Sequence, residues 1–246
     1  MVSVLDRVAW GEPALSLLSR CKELMDVKPA VMIIRHSAAE TRLGPGRLLT
    51  EEGKQAAYDF GSRLPTNRNY RIFHNVTERT QETAEQMLLG IQSKGARGRI
   101  GEPCAFLTFN NTDIEKIFSY FKRDGMTSFF LNWISGRYPP WEIESGYALA
   151  QQAAYGISKN LKNADKNGFD IYVTHDLCVR LFMFHWLGEP LPWESNDPED
   201  GSPWVRLTGY LDGFVLQFDD DAMSAYWRKT RREVRYPFWW SFKNSV

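Results

Sequence analysis

The sequence predicts an α/β fold: a three-layer αβα sandwich with a mostly parallel central sheet, helices on both faces and a helical insertion. Three observations predict it. Short apolar runs, AVMII at 30–34, YRIFHN at 70–75 and DIYVT at 170–174, are separated by stretches whose apolar residues recur at helical spacing. Alternation of this kind lays each helix on a sheet face and joins the strands by crossovers. Finally, 246 residues that are 43% hydrophobic and 24% charged suit one large core, and burial on that scale offsets the entropy of ordering the chain. Intrinsic disorder is thereby excluded as the main state. No repeat, low-complexity tract or Gly/Ser linker divides the chain, so residues 1–246 are read as a single domain.

The elements follow in order. Residues 13–26 carry apolar residues at helical spacing and are expected to be helical until Lys28-Pro29, because the residue before a proline is pushed out of helical geometry. AVMII, bounded by Pro29 and polar residues, has the pattern of a buried strand. Residues 37–49 hold Gly44, Pro45 and Gly46 and form a loop. Thr50 is set to cap a helix over 51–63, with Glu51 and Glu52 suited to its positive end. After the strand at 70–75, Thr77 or Glu78 opens a helix to position 92. The basic, glycine-containing stretch 93–103 reads as a surface loop, and CAFLTF at 104–109 as a third strand. Residues 112–135 read as helix with a break near Asp124-Gly125, and RYPPWEIE at 137–144 as a turn set by its proline pair. The segment 104–150 as a whole is expected to be the helical insertion, or lid, over one edge of the sheet.

A helix over 145–163 leads to the strand at 170–174. Asp176 then begins an apolar helix, 177–187, stopped by Gly188 and Pro190. WESNDPEDGSPW at 193–204 reads as a long acidic loop, and YLDGFVLQF at 210–218 as a strand pair or a strand bent at Asp212-Gly213. Residues 224–246, basic and then aromatic, carry no assignable pattern.

Composition narrows the function. Thirty basic residues balance thirty acidic ones, which argues against a general nucleic-acid or membrane-surface binder, so any anion site must be local. Three widely spaced cysteines, Cys21, Cys104 and Cys178, make neither a C-x-x-C motif nor a disulfide framework. With no apolar run of spanning length and an N-terminus interrupted by Asp6, Arg7 and Glu12, a cytoplasmic protein is expected. The four histidines lack metal-ligand spacing, and neither a metal nor another cofactor is expected. Nine tryptophans and 14% aromatic content point to aromatic-lined surfaces or pockets.

In open α/β sheets, sites form beyond the carboxyl ends of strands. Arg35-His36 follows the first strand, Arg79 lies in the first helical turn after the second, and His175-Asp176 follows DIYVT. Two Arg, two His and one Asp at equivalent strand ends suit a phosphoryl group. Guanidinium forks match phosphate oxygens, and helix N-termini add N–H donors. A neutral His can attack phosphorus, and the acid form of Asp176 can protonate the leaving oxygen. Arg79 at the positive end of a helix is unfavourable unless an anion is bound there. Asp176 has a second reading as a helix cap, and Arg42 and Arg47 are divided between loop charge and substrate contact. His74 and His185 read as structural, and 229–235 as a solvated basic face.

The segments VMIIRHSAAE (31–40), LTEEGKQAAYDFG (49–61), NVTERTQETAEQM (75–87) and VTHD (173–176), with YLDGF at 210–214, resemble the histidine phosphatase superfamily, also called phosphoglycerate-mutase-like. The resemblance spans residues 30–218. It implies that His36 is the nucleophile that becomes phosphorylated, and that Arg35, Arg79 and His175 bind the phosphoryl group and stabilise the transition state. Asp176 is the implied proton donor; members that use a Glu of the insertion instead make Glu142 and Glu144 the reserve candidates. The chain differs from the family at Ser37, where Gly is usual, at Ala39, where Arg often stands, and at Asn75, where Ser is common; Arg42 or Arg47 is then the substitute cation. The expected activity is that of a metal-independent phosphomonoesterase on a small phosphorylated substrate. A phosphomutase or phosphotransferase, and a non-catalytic phospho-ligand-binding module, are the alternatives.

Overall fold

The computed structural model describes residues 3–25, 28–41, 46–108, 114–188, 208–219, 222–228 and 230–235. Its strands are β1 (Ala30–Arg35), β2 (Asn69–His74), β3 (Arg97–Ile100), β4 (Gly168–Thr174), β5 (Gly213–Phe218), β6 (Ala222–Trp227) and β7 (Thr230–Arg235). They form one sheet in the order β3-β2-β4-β1-β5-β6-β7. β3, β2, β4 and β1 are mutually parallel, and β5, β6 and β7 continue the sheet as an antiparallel meander. Most strands therefore share one direction, with only β5 and β7 reversed.

Helices cover both faces: α1 (Gly11–Cys21), α2 (Glu51–Ser62) and α3 (Glu78–Ser93) on one, and α6 (Gly146–Leu161) and α7 (Asp176–Leu187) on the other, joined there by α4 (Ile114–Asp124) and α5 (Met126–Ile134). Period-two alternation along β1 sorts the two cores. Ala30, Met32 and Ile34 pack with Leu17, Phe60 and Met87, whereas Val31 and Ile33 join Ile157, Val179 and Phe182. Each of the larger side chains among them, fully withdrawn from water, contributes about 1.5–3 kcal/mol. The cysteines are free and buried, and burial raises all three thiols to about 12, so they are unreactive in the folded chain. Among the described residues no helix is long and apolar enough to cross a membrane.

Local chemistry sets the element ends. The Thr50 hydroxyl accepts from the Gly53 N–H at 3.0 Å, and Ser145 caps α6 by accepting from Ala148. α7 ends at Gly188 in the left-handed region, φ 61°. Gly53 also permits a close approach. A Cβ there would lie 2.0 Å from the Ala38 carbonyl oxygen, so α2 sits directly against the loop that follows the first strand. Gly53→Ala is expected to cost about 1–3 kcal/mol through overpacking and to displace the segment carrying His36. A urea midpoint equal to that of the parent would show that the loop yields freely.

Four expectations change. α1 stops at Cys21, short of the expected 13–26 helix, because carbonyls beyond it are claimed by tertiary partners. Buried Arg68 donates to Met25 and Lys28, and Gln217 also donates to Met25. The expected loop at 93–103 contains β3, an edge strand whose basic residues are tolerated because one side faces water. CAFLTF is not a strand: Ala105–Leu107 is a 3-10 turn. The Leu107 carbonyl accepts from Asn75 Nδ2 at 3.1 Å and Thr174 Oγ1 at 2.7 Å, so it braces the ends of β2 and β4 instead of joining a ladder. YLDGFVLQF yields one strand, entered through a turn with Leu211 at φ 54°. The chain beyond 222, unassigned by sequence, supplies β6 and β7. The expected acidic loop at 193–204 and the aromatic end 236–246 lie outside the described residues.

Candidate active site

The carboxyl ends of β1, β2 and β4 bring Arg35, His36, Arg79, His175 and Asp176 together. β1 and β4 pair in register, Arg35 opposite Thr174, and the His36 N–H donates to the Thr174 carbonyl at 2.9 Å. The next residue along each strand is thereby delivered to one place, and the two imidazole centroids stand 5.4 Å apart.

His36 is buried, 4% exposed. Its Nδ1 lies 2.7 Å from the Ser37 carbonyl, which only accepts, so Nδ1 carries the hydrogen. Nε2 is left with its lone pair, and Arg79 Nε donates to it at 3.2 Å. A second Arg79 nitrogen lies 3.3 Å from His175 Nδ1. Guanidinium only donates, so this contact places the His175 hydrogen on Nε2, which is 3.5 Å from Thr77 Oγ1.

Both rings are neutral for the same reasons. Burial, then His175, Arg35 and Arg79, hold His36 well below the ordinary histidine value. Burial, then Arg79, Arg35 and Arg47, lower His175 to about 3. Burial and the Arg47 charge lower Arg79 itself. Such groups take up protons in the unfolded chain before they do in the folded one. Stability is therefore expected to fall as pH drops below the ordinary histidine value of about 6.5. The urea midpoint should be lower at pH 5 than at pH 7, and inorganic phosphate should narrow the difference. A midpoint that does not change across this interval would contradict neutral buried imidazoles.

Arg35 is fixed on three sides. Nη1 donates to the Thr208 carbonyl at 2.5 Å, Nη2 is 3.5 Å from Asp176 Oδ2, and the guanidinium lies 4.5 Å from the Tyr210 ring centroid. Its Nε is buried with no hydrogen-bond partner. Asp176 is the first residue of α7, and its Oδ1 accepts from the Leu177 N–H at 2.8 Å. The helix-cap reading of Asp176 is off by one residue: His175 holds the N-cap position, and Asp176 turns its carboxylate to the Leu177 N–H and toward Arg35. Arg47 donates to the Glu40 carbonyl at 2.6 Å and is close enough to bias both Arg79 and His175. Three guanidinium groups around two neutral imidazoles, with an unpartnered N–H, make a place for an anion.

The other candidates are placed differently. Glu142 accepts from the Tyr120 hydroxyl and lies 3.8 Å from Lys116 Nζ, both on α4. Glu144 accepts from Gln152 at 2.5 Å, and its carbonyl accepts from Trp133 at 2.8 Å. Arg42 lies outside the described residues. Among the described residues no group of three or more His, Cys, Asp or Glu is arranged to hold a metal ion. His74 Nδ1 is 2.6 Å from the Asn75 carbonyl, a local contact that agrees with a structural reading.

The departures at Ser37 and Asn75 are accommodated. Ser37 is fully buried, its hydroxyl donating to the Gly53 carbonyl at 2.7 Å and its N–H to Thr83 Oγ1 at 3.1 Å. Asn75 Oδ1 accepts from the Thr77 N–H at 3.2 Å, setting the turn into α3. Sequence reasoning missed Thr77, Thr208 and Tyr210 as site members. Tyr210 arrives through tertiary pairing: β5 begins antiparallel beside the carboxyl end of β1, which brings the residues before it to the site.

Fold and site together define an α/β scaffold that carries a histidine–arginine anion cradle at its strand ends, and the fold is that of the phosphoglycerate mutase-like histidine phosphatases. Bacillus stearothermophilus YhfR is similar with a TM-score of 0.54 and 17% identity, over 78% of this chain and 92% of that one. A phosphoglycerate mutase from Bacillus anthracis is similar with a TM-score of 0.50 and 16% identity, over 86% and 94%. A mycobacterial glucosyl-3-phosphoglycerate phosphatase in complex with VO3 is similar with a TM-score of 0.50 and 14% identity, over 84% and 96%. No protein-family model matches the chain, and no curated sequence does. Likeness at these identities establishes the fold.

Proposed function

We propose that the protein is a metal-independent phosphomonoesterase working through a phosphohistidine at His36. The observation that carries this reading is the tautomer of His36: Nδ1–H is committed to the Ser37 carbonyl, so Nε2 offers a lone pair inside a cationic cradle. That lone pair attacks phosphorus while the bond to the leaving oxygen breaks, and the leaving oxygen takes a proton from the carboxylic acid of Asp176. Water then attacks the phosphohistidine, the P–N bond breaks, and Asp176 takes the water proton. Arg35, Arg79 and Arg47 neutralise the charge on the phosphoryl oxygens, and the His175 Nε2–H is a further donor. The solved structures of similar fold include a mutase and a phosphatase, which agrees with phosphoryl chemistry of this general kind.

The test is capture of the intermediate. After brief exposure to a radiolabelled aryl phosphate with excess chelator and an alkaline quench, label should remain on the protein, be lost in acid and map to His36. Steady turnover without such a species would overturn the reading, and chelator-sensitive turnover would overturn metal independence.

Asp176→Asn separates the donor from the cradle. Hydrolysis of an alkyl phosphate should fall about 10²-fold, while an activated aryl phosphate, whose oxygen departs unprotonated, should change by less than about tenfold. Equal losses on both would remove Asp176 as donor. Because His36 is held neutral well below pH 6.5, the pH–rate profile should be bell-shaped and lie on the acidic side of neutral.

A further inference from the structure

Resting on the phosphomonoesterase reading of this site, we propose that Asp212 and Arg228 are positioning residues for the cradle and act through Arg35. Arg35 takes its place from one short segment, residues 208–212. Its backbone N–H donates to the Asp212 carbonyl at 2.9 Å, its Nη1 donates to the Thr208 carbonyl at 2.5 Å, and its guanidinium carbon lies 4.5 Å from the Tyr210 ring centroid. The direction in which the Arg35 fork points is therefore set by the shape of this turn. The turn's shape is not one that the backbone prefers. Leu211 has φ 54°, a region unfavourable for a bulky side chain, so something must hold it there.

The Asp212 carboxylate does so. Asp212 is 4% exposed, and its Oδ1 accepts from the Gly213 N–H at 2.8 Å. Its Oδ2 accepts from the Gly209 N–H at 3.4 Å and from Arg228 Nη2 at 3.1 Å. One side chain thus ties both ends of the turn together and anchors them to the residue that follows β6. Buried carboxylates need a counter-charge, and among the described residues Arg228 is the cation that pairs with Asp212. Arg228 is held in its turn: it has φ 43°, and its carbonyl accepts from Arg20 Nε at 2.6 Å. Among the described residues Leu211 and Arg228 are the two non-glycine residues with positive φ, and the Asp212–Arg228 pair joins them. Backbone strain persists where its surroundings over-determine it, and it gathers at functional sites. Here both strained residues belong to the support of one cradle arginine.

The test is a double-mutant cycle read by calorimetric binding of inorganic phosphate, so it does not depend on turnover. Arg228→Ala should weaken phosphate binding about tenfold, because it leaves a buried carboxylate unpaired and frees the turn. In an Arg35→Lys background, which keeps a cation but not the fork that the turn holds, the same substitution should change binding by less than about twofold. A role in stability alone would give the same loss in both backgrounds. The Arg35 Nε–H resonance should move in Arg228→Ala and return toward the parent position in Arg228→Lys. Asp212→Asn, which leaves one acceptor oxygen for three donors, should weaken binding at least as much as Arg228→Ala. No phosphate binding by the parent, no loss in Arg228→Ala, or an undiminished loss in the Arg35→Lys background would overturn the proposal. Turnover of an aryl phosphate is measured separately: if it is absent while the binding pattern holds, the phosphomonoesterase reading falls and the positioning role stands.

Discussion

Substitution of His36 by alanine is expected to remove turnover of an aryl phosphate by about 10⁴-fold or more while leaving the chain folded. The loss is large because no other group in the cradle offers a lone pair at the same point. Arg35 and Arg79 are donors only, and the lone pair of His175, at Nδ1, lies on the other ring, whose centroid is 5.4 Å from that of His36. The fold should survive because the ring's polar contacts are local, to the adjoining Ser37 carbonyl and to Arg79. Removing the ring also removes a polar group whose burial is unfavourable. Circular dichroism and the urea midpoint check the fold, and the labelled intermediate should be absent. Added imidazole should restore part of the turnover by entering the vacated space. Turnover within tenfold of the parent would mean that phosphorus is attacked by something else, water included.

Arg79→Ala carries the second largest effect. One guanidinium donates to both imidazoles, and it is the group best placed to hold a phosphoryl oxygen between them. Removing a single donor of developing charge costs about 10²–10³ in kcat. A second readout separates this from a general loss of structure. The Arg79 charge is the leading electrostatic cause of the low His175 value, second only to burial, so its removal should raise that value from about 3 toward the ordinary range. Proton NMR titration of His175 follows the change directly. Arg79→Lys should fall between parent and alanine, since an ammonium keeps the charge without the planar fork that reaches both rings. A His175 titration unchanged by Arg79→Ala would contradict the described electrostatics.

Much of the parallel half of the sheet was legible because its strands are continuous apolar runs and its helices begin with recognisable caps. Thr50 and the stop at Gly188 stand where local chemistry puts them. The cradle was legible for a related reason: Arg35, His36, Arg79, His175 and Asp176 all follow strands, and a parallel sheet collects such positions at one edge. The misreadings share a cause, which is that tertiary partners decided them. Nothing in CAFLTF announces that Leu107 will give its carbonyl to Asn75 and Thr174, and nothing in residues 22–25 announces that buried Arg68 will engage the Met25 carbonyl. The basic composition of β3 and β7 concealed their strand character because an edge strand does not need two apolar faces. The site role of Tyr210 depends on an antiparallel strand entering beside β1, a pairing that local sequence does not encode.

Those same two edges have a consequence for how copies of the chain behave toward one another. Among the described residues the sheet begins with Arg97 and Arg99 on β3 and ends with Arg231, Arg232 and Arg235 on β7. A bare strand edge is a template for adding another strand, and clustered like charge is a common defence against it. Both margins carry a net positive charge, with Glu233 the one acidic residue on β7, so edge-to-edge approach sets like net charge against like. That colloidal protection is electrostatic and weakens as ions shorten the screening distance, from about 10 Å at 0.1 M salt to about 3 Å at 1 M. Self-association of this neutral chain through its sheet margins should therefore increase with ionic strength.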